Sequence, residues 1–79
     1  MPTVLRELGY RLYFYSDEGF EPPHVHVERG EHEAKFWLDA VISLVYGGGF
    51  RQNEITEIRK LIGDHRTQIL RKWHEHFSR

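Results

Sequence analysis

Immediately after two prolines, Val25 and Val27 alternate with His24, His26 and Glu28. This two-residue period reads as a half-buried strand over His24–Arg29, because successive strand side chains point to opposite faces. Val25 and Val27 then take one face. His24, His26 and Glu28 take the other. Pro23 suits the start or the edge of such a strand, where no ladder donor is lost.

Neighbouring segments carry related patterns. Over Tyr10–Tyr15, Leu12 and Phe14 alternate with Arg11, Tyr13 and Tyr15, which predicts a strand. Ser16–Pro23 is a polar turn region with Asp17, Gly19 and two prolines. Gly30, Glu31 and His32 make a short hairpin turn. Glu33–Leu38 is the next strand, with Ala34, Phe36 and Leu38 opposite Lys35, Trp37 and Asp39. Val41–Tyr46 is the candidate for a shorter fourth strand. Gly47-Gly48-Gly49 then breaks the chain and reads as a flexible connection. It lacks the Lys-Ser/Thr that follows the glycines of a phosphate-binding loop.

The remainder reads as helix. Ile55, Ile58, Ile62, Ile69, Trp73 and Phe77 fall within one stripe about 100° wide at helical spacing. That continuity predicts one long helix, with Gly63 as a bend; two helices broken at Gly63-Asp64 are the alternative. Glu54 and Glu57 near the start, and Arg71, Lys72 and Arg79 near the end, suit the helix dipole. The expected fold is α+β: a three- or four-stranded, mostly antiparallel sheet packed against a long C-terminal helix. The helix stripe would cover Leu12, Phe14, Val25, Val27, Ala34, Phe36 and Leu38. The opposite sheet face would carry Arg11, Tyr13, Tyr15, His24, His26, Glu28, Lys35 and Trp37.

Seventy-nine residues predict a single domain over 1–79. Such a short chain buries only about 60% of its unfolded surface, so a metal, a partner chain or an efficient core is expected to supplement it. With no cysteine, disulfides and thiolate zinc sites are excluded. The net charge of −1 offers no bulk case for nucleic-acid binding. Residues 53–79 do carry six Lys/Arg against four Asp/Glu, a balance of +2. This is either a solvated helix face or a weak signal for an anionic partner. No signal-peptide or membrane-spanning pattern is seen, and a cytoplasmic location with no membrane association is expected.

His24 and His26 are the leading site candidates. On a strand, side chains two apart lie roughly 6–7 Å from each other on one face. The two rings can share a divalent metal such as zinc, with Glu28, Glu21 or Asp17 completing the set. They can equally act as acid and base in phosphodiester cleavage with no cofactor required, or simply pack as surface histidines. In the cleavage reading, Lys35 or Arg11 stabilises phosphate charge and Tyr13 or Tyr15 orients the substrate. Arg11, Lys35, Tyr13, Tyr15 and Trp37 also suit a ligand-binding face: cations can hold a phosphate while aromatics stack a base. The competing reading is cross-strand cation–π and charge pairing with Glu28. His65, His74 and His76 are assigned to the helix. No serine sits in a nucleophile context.

Several ordered motifs carry a resemblance. They are Met1-Pro2-Thr3-Val4-Leu5-Arg6, Tyr13-Phe14-Tyr15-Ser16, Glu21-Pro22-Pro23-His24-Val25-His26-Val27, Ala34-Lys35-Phe36-Trp37-Leu38, Gly49-Phe50 and Trp73. Through them the chain resembles a small prokaryotic family, domain-of-unknown-function family 4160. That family usually has Ser or Thr after its Gly-Phe, as a helix cap. Arg51 stands there in this chain, so Asn53 becomes the alternative cap. The resemblance implies a component of a small two-gene module, often beside a second uncharacterised family numbered 2442, in an arrangement suggested to be toxin–antitoxin-like. It raises the expectation of a protein partner and of RNA as a target, while the small core by itself leads to the expectation of a homo-oligomer or partner bound through the aromatic sheet face or a neighbouring edge.

Three functions follow as expectations. The first is a binding or regulatory component of such a module. The second is a small ribonuclease-type enzyme using His24 and His26. The third is a metal-binding protein through His24, His26 and Glu28.

Overall fold

The computed structural model describes residues 3–15 and 19–77. Five strands precede two helices: β1 (Thr3–Glu7), β2 (Tyr10–Tyr13), β3 (His24–Arg29), β4 (His32–Leu38), β5 (Ile42–Tyr46), α1 (Gln52–Asp64) and α2 (Arg66–Phe77). The strands form one antiparallel meander in chain order, β1 to β5. The α+β class is as expected; the strand count and the single helix are corrected.

The additional strand is β1. Thr3–Glu7 carries no clean alternation, and of its five residues only Val4 is buried. Its hairpin to β2 turns at Leu8 and Gly9, both at positive φ (57° and 82°). A two-residue loop with both residues left-handed matches the right-handed twist of a hairpin. Asn-Gly or Asp-Gly would announce such a turn. Leucine there does not, since a bulky residue seldom adopts that conformation.

The expected long helix is two helices meeting at His65. The His65 N–H reaches the carbonyls of both Leu61 (3.2 Å) and Ile62 (3.1 Å), while its own carbonyl accepts from Ile69 N–H at 2.9 Å. Its Nδ1 lies a further 3.0 Å from the Leu61 carbonyl. One residue leaves helical geometry and the ladder resumes. The apolar phase therefore crosses the break, which is why the stripe read as continuous. At the other end, Arg51 rather than Asn53 is the N-cap. Its backbone N–H donates to Glu54 Oε1 at 2.7 Å, and this bond is the main reason the Glu54 carboxyl sits below its usual range.

The core forms where the apolar strand face meets the helix stripe. Leu12, Val25, Val27, Ala34, Phe36, Ile58, Ile62 and Ile69 are all fully buried, and Trp73 is nearly so. Strand pairing places Leu12 opposite Val27, Val27 opposite Ala34 and Val25 opposite Phe36. Apolar side chains thus share one face across three strands, as their two-residue period demands.

Two features expected to be loose or solvated are structural. The triple glycine is a packed connection: a Cβ on Gly48 would fall 1.6 Å from the Glu33 carbonyl oxygen, and Gly48 has φ +57°. Only glycine lets the backbone approach that closely. Half of the C-terminal cations bind strand carbonyls. Arg59 Nε donates to Ile42 O at 3.1 Å, Arg66 donates to Leu38 O and Asp39 O at 3.1 Å each, and Lys72 Nζ donates to Val4 O at 3.0 Å. They satisfy backbone acceptors that strands leave open at sheet edges and ends.

Candidate functional site

The sheet face that bears His24 and His26 gathers the predicted site residues, and Trp73 of α2 reaches His24 there. β2, β3 and β4 set His26 between Tyr13 and Lys35, and His24 opposite Trp37. The two histidines do lie on the face opposite Val25 and Val27, with ring centroids 5.2 Å apart. They are not on the surface. His24 is 0% exposed and His26 2%.

His24 is enclosed by two tryptophans. Its ring lies 5.7 Å from that of Trp37 on β4 and 4.9 Å from that of Trp73 on α2, both edge-on. Its Nδ1 is 3.0 Å from the Pro22 carbonyl oxygen. A carbonyl can only accept, so this nitrogen carries the proton and donates.

His26 is enclosed by tyrosines. Tyr13 stacks on it at 5.4 Å and Tyr15 meets it edge-on at 4.3 Å. Its Nδ1 lies 3.3 Å from Glu33 Oε2 and 3.5 Å from the Tyr46 hydroxyl. The same carboxylate oxygen accepts the Tyr13 hydroxyl at 2.5 Å and the Tyr15 hydroxyl at 2.8 Å. Burial first, and the bond to Glu33 second, push the Tyr13 hydroxyl far above its ordinary pKa. Ionising it would put a second negative charge beside Glu33 on a buried ring.

The remaining candidates pair elsewhere on the face. Arg11 bridges Glu28 at 3.2 Å and covers the Tyr13 ring at 4.4 Å. Lys35 Nζ donates to Glu21 Oε1 at 2.8 Å and sits 4.9 Å over the Trp37 ring. The structure therefore brings together His24, His26, Tyr13 and Tyr15. Glu28 is directed to Arg11 and Lys35 to Glu21, so His24, His26 and Glu28 do not form a common ligand set. Among the described residues no group of three His, Asp or Glu side chains is placed to hold a metal ion. Asp17 lies outside the described residues.

Glu33 and Tyr46 are the site residues that sequence reading passed over. The period of two puts Glu33 on the same face as Lys35, so that much was legible. The hairpin register sets Glu33 opposite Glu28. Two carboxylates directly across a ladder repel unless each is stabilised. Arg11 neutralises Glu28, and the two tyrosine hydroxyls stabilise the Glu33 charge by donating hydrogen bonds to it. Tyr46 reaches His26 only because β5 lies beyond β4.

These features define a small protein with a five-stranded meander, two helices packed on the sheet and a buried histidine–tyrosine–glutamate cluster that Trp73 of α2 helps to enclose. The sequence profile of the domain of unknown function DUF4160 matches residues 9–74, and the chain belongs to that family. No curated protein and no solved structure matches the chain.

Proposed function

We propose that the protein is a cytoplasmic binding and regulatory component, the partner-binding member of a toxin–antitoxin-like two-gene module. The observation that carries this reading is the burial of His24 and His26 beside an exposed apolar strand. A general acid or base must come within hydrogen-bond reach of the proton it moves. Both rings are enclosed, and among the described residues no cleft opens beside them. Exposed apolar side chains instead cluster on and beside β5, at Val41 (73% exposed), Leu44 (40%), Val45 (41%) and Tyr46 (42%). Contiguous exposed apolar surface marks sites of protein interaction.

The test is co-expression of the chain with the product of its adjacent gene, followed by calorimetry on the purified proteins. A stoichiometric complex weakened at least tenfold by Val41→Glu is the expected result. In parallel, the purified chain is incubated with RNA, with and without divalent metal. RNA cleavage lost in a folded His26→Ala variant, with no complex formed, would replace this reading with the ribonuclease one.

A further inference from the structure

We propose that β5 is the seam of a symmetric dimer, in which the β5 strands of two copies pair antiparallel about Leu44 and join two five-stranded sheets into one. This rests on the reading above of the β5 region as an interaction surface, and places a second copy of the chain on its backbone edge.

The backbone at β5 is set for pairing. Leu38 N–H donates to Pro23 O at 3.0 Å, on the β3 side of β4. Its polar groups therefore point away from its β5 partner, Ile42. In an antiparallel ladder this makes Leu38 and Ile42 a non-hydrogen-bonded pair, with the N–H and C=O of Ile42 directed outward. The Arg59 guanidinium takes that outward carbonyl. Two residues on, Leu44 again points its N–H and C=O outward, and among the described residues no strand lies beyond β5. The ladder shifts register between Lys35 and Phe36, so Val45 is an extra residue, and the regular outward pattern ends after Leu44. With Ile42 O occupied on one side and the bulge on the other, Leu44 is the natural centre of a new pairing.

The chemistry favours an identical partner. Sheet edges are ordinarily protected by charged side chains and prolines. All eleven residues from Ala40 to Phe50 are uncharged, and none is proline. Each edge strand has one carbonyl capped by a helix cation, Val4 O by Lys72 and Ile42 O by Arg59, but only β1 carries charged side chains of its own, Arg6 and Glu7. A neutral strand meets no repulsion from its own copy, and a two-fold axis supplies register without charge pairing. A different partner strand would find no charge on β5 by which to be selected. Two-fold pairing at Leu44 sets Leu44 against its counterpart and brings the exposed Val45 and Tyr46 of both copies to the seam, burying apolar and aromatic surface.

The experiment uses the full chain. Sedimentation equilibrium should give twice the 9.5 kDa chain mass, and Leu44→Lys should raise the dissociation constant at least 30-fold without changing the far-UV spectrum. Because the chain has no cysteine, Leu44→Cys is a clean geometric probe. Residues facing across a hydrogen-bonded pair have Cα atoms about 5.5 Å apart, within disulfide reach. Mild oxidation should therefore cross-link Leu44→Cys into a covalent dimer and leave Glu7→Cys on β1 unlinked. A monomer at every concentration with no Leu44→Cys cross-link overturns the dimer. If the complex with the adjacent gene product still forms in that case, the binding reading stands and the dimer alone fails; if it too is absent, both fail.

Discussion

The hydroxyl of Tyr13 on β2 donates to Glu33 Oε2 on β4 at 2.5 Å, and this bond ties a partly exposed carboxylate to a buried phenol. Tyr13 is 2% exposed. Removing Glu33 would leave a buried hydroxyl without its acceptor, at a cost of about 1–3 kcal/mol. Glu33→Ala should therefore lower stability by that amount in urea titration. Glu33→Gln keeps an acceptor oxygen and should lose less. Equal losses for the two variants would show that the carboxylate contributes charge and not acceptance.

His24 fills the space between Trp37 and Trp73, and His26 fills that under the tyrosines. Truncating either ring opens a cavity and releases a polar network. His24→Ala and His26→Ala should each destabilise the fold by about 2 kcal/mol or more. A surface pair would cost less than about 0.5 kcal/mol. Denaturation midpoints within that smaller range would return both histidines to the list of functional surface groups.

High pH should unfold the protein through its tyrosines. Burial, and secondly the bond to Glu57, push the Tyr10 hydroxyl from 10.0 up to about 12; Tyr13 is raised further, by burial and the bond to Glu33. A raised folded pKa means that the fold favours the neutral phenol. That stability is fully present below pH 10, the unfolded value, and is lost as pH rises through about 12. Phenolate absorbance and circular dichroism should show two tyrosines ionising together with loss of structure above pH 10. Ionisation of Tyr10 and Tyr13 near pH 10 with an intact fold would contradict the burial argument.

Two glycines should respond in opposite senses. A Cβ on Gly63, within α1, meets nothing within 4 Å. Gly63→Ala should raise stability by about 1 kcal/mol. Gly48→Ala meets the Glu33 carbonyl and should cost more than that, with the β4 end displaced. Thermal unfolding of both variants checks the pair, and a neutral Gly48→Ala would mean the glycine connection is not packed.

The strand phase of His24–Arg29 and the buried set Val25, Val27, Phe36, Ile58, Ile62, Ile69 and Trp73 were determined by the sequence alone. Periodicity is a local property: two-residue alternation and the helical stripe fix which side chains share a face before any contact is made. The existence of β1, the break at His65 and the burial of His24 and His26 were decided by tertiary structure. β1 is recruited by pairing with β2 through a leucine turn that carries no signature. The break costs the helix one residue and leaves the apolar phase untouched, so the stripe favours one helix; the alternative break at Gly63-Asp64 lies at the end of α1, and the tertiary structure selects it. Both histidines stand on the face that period assigned to them, but whether that face is wet depends on what covers it. Trp73 arrives from the far end of the chain, Tyr13, Glu33 and Tyr46 arrive through strand register, and Tyr15 follows just beyond β2. Burial is a sum over neighbours distant in sequence, and only the folded chain assembles them.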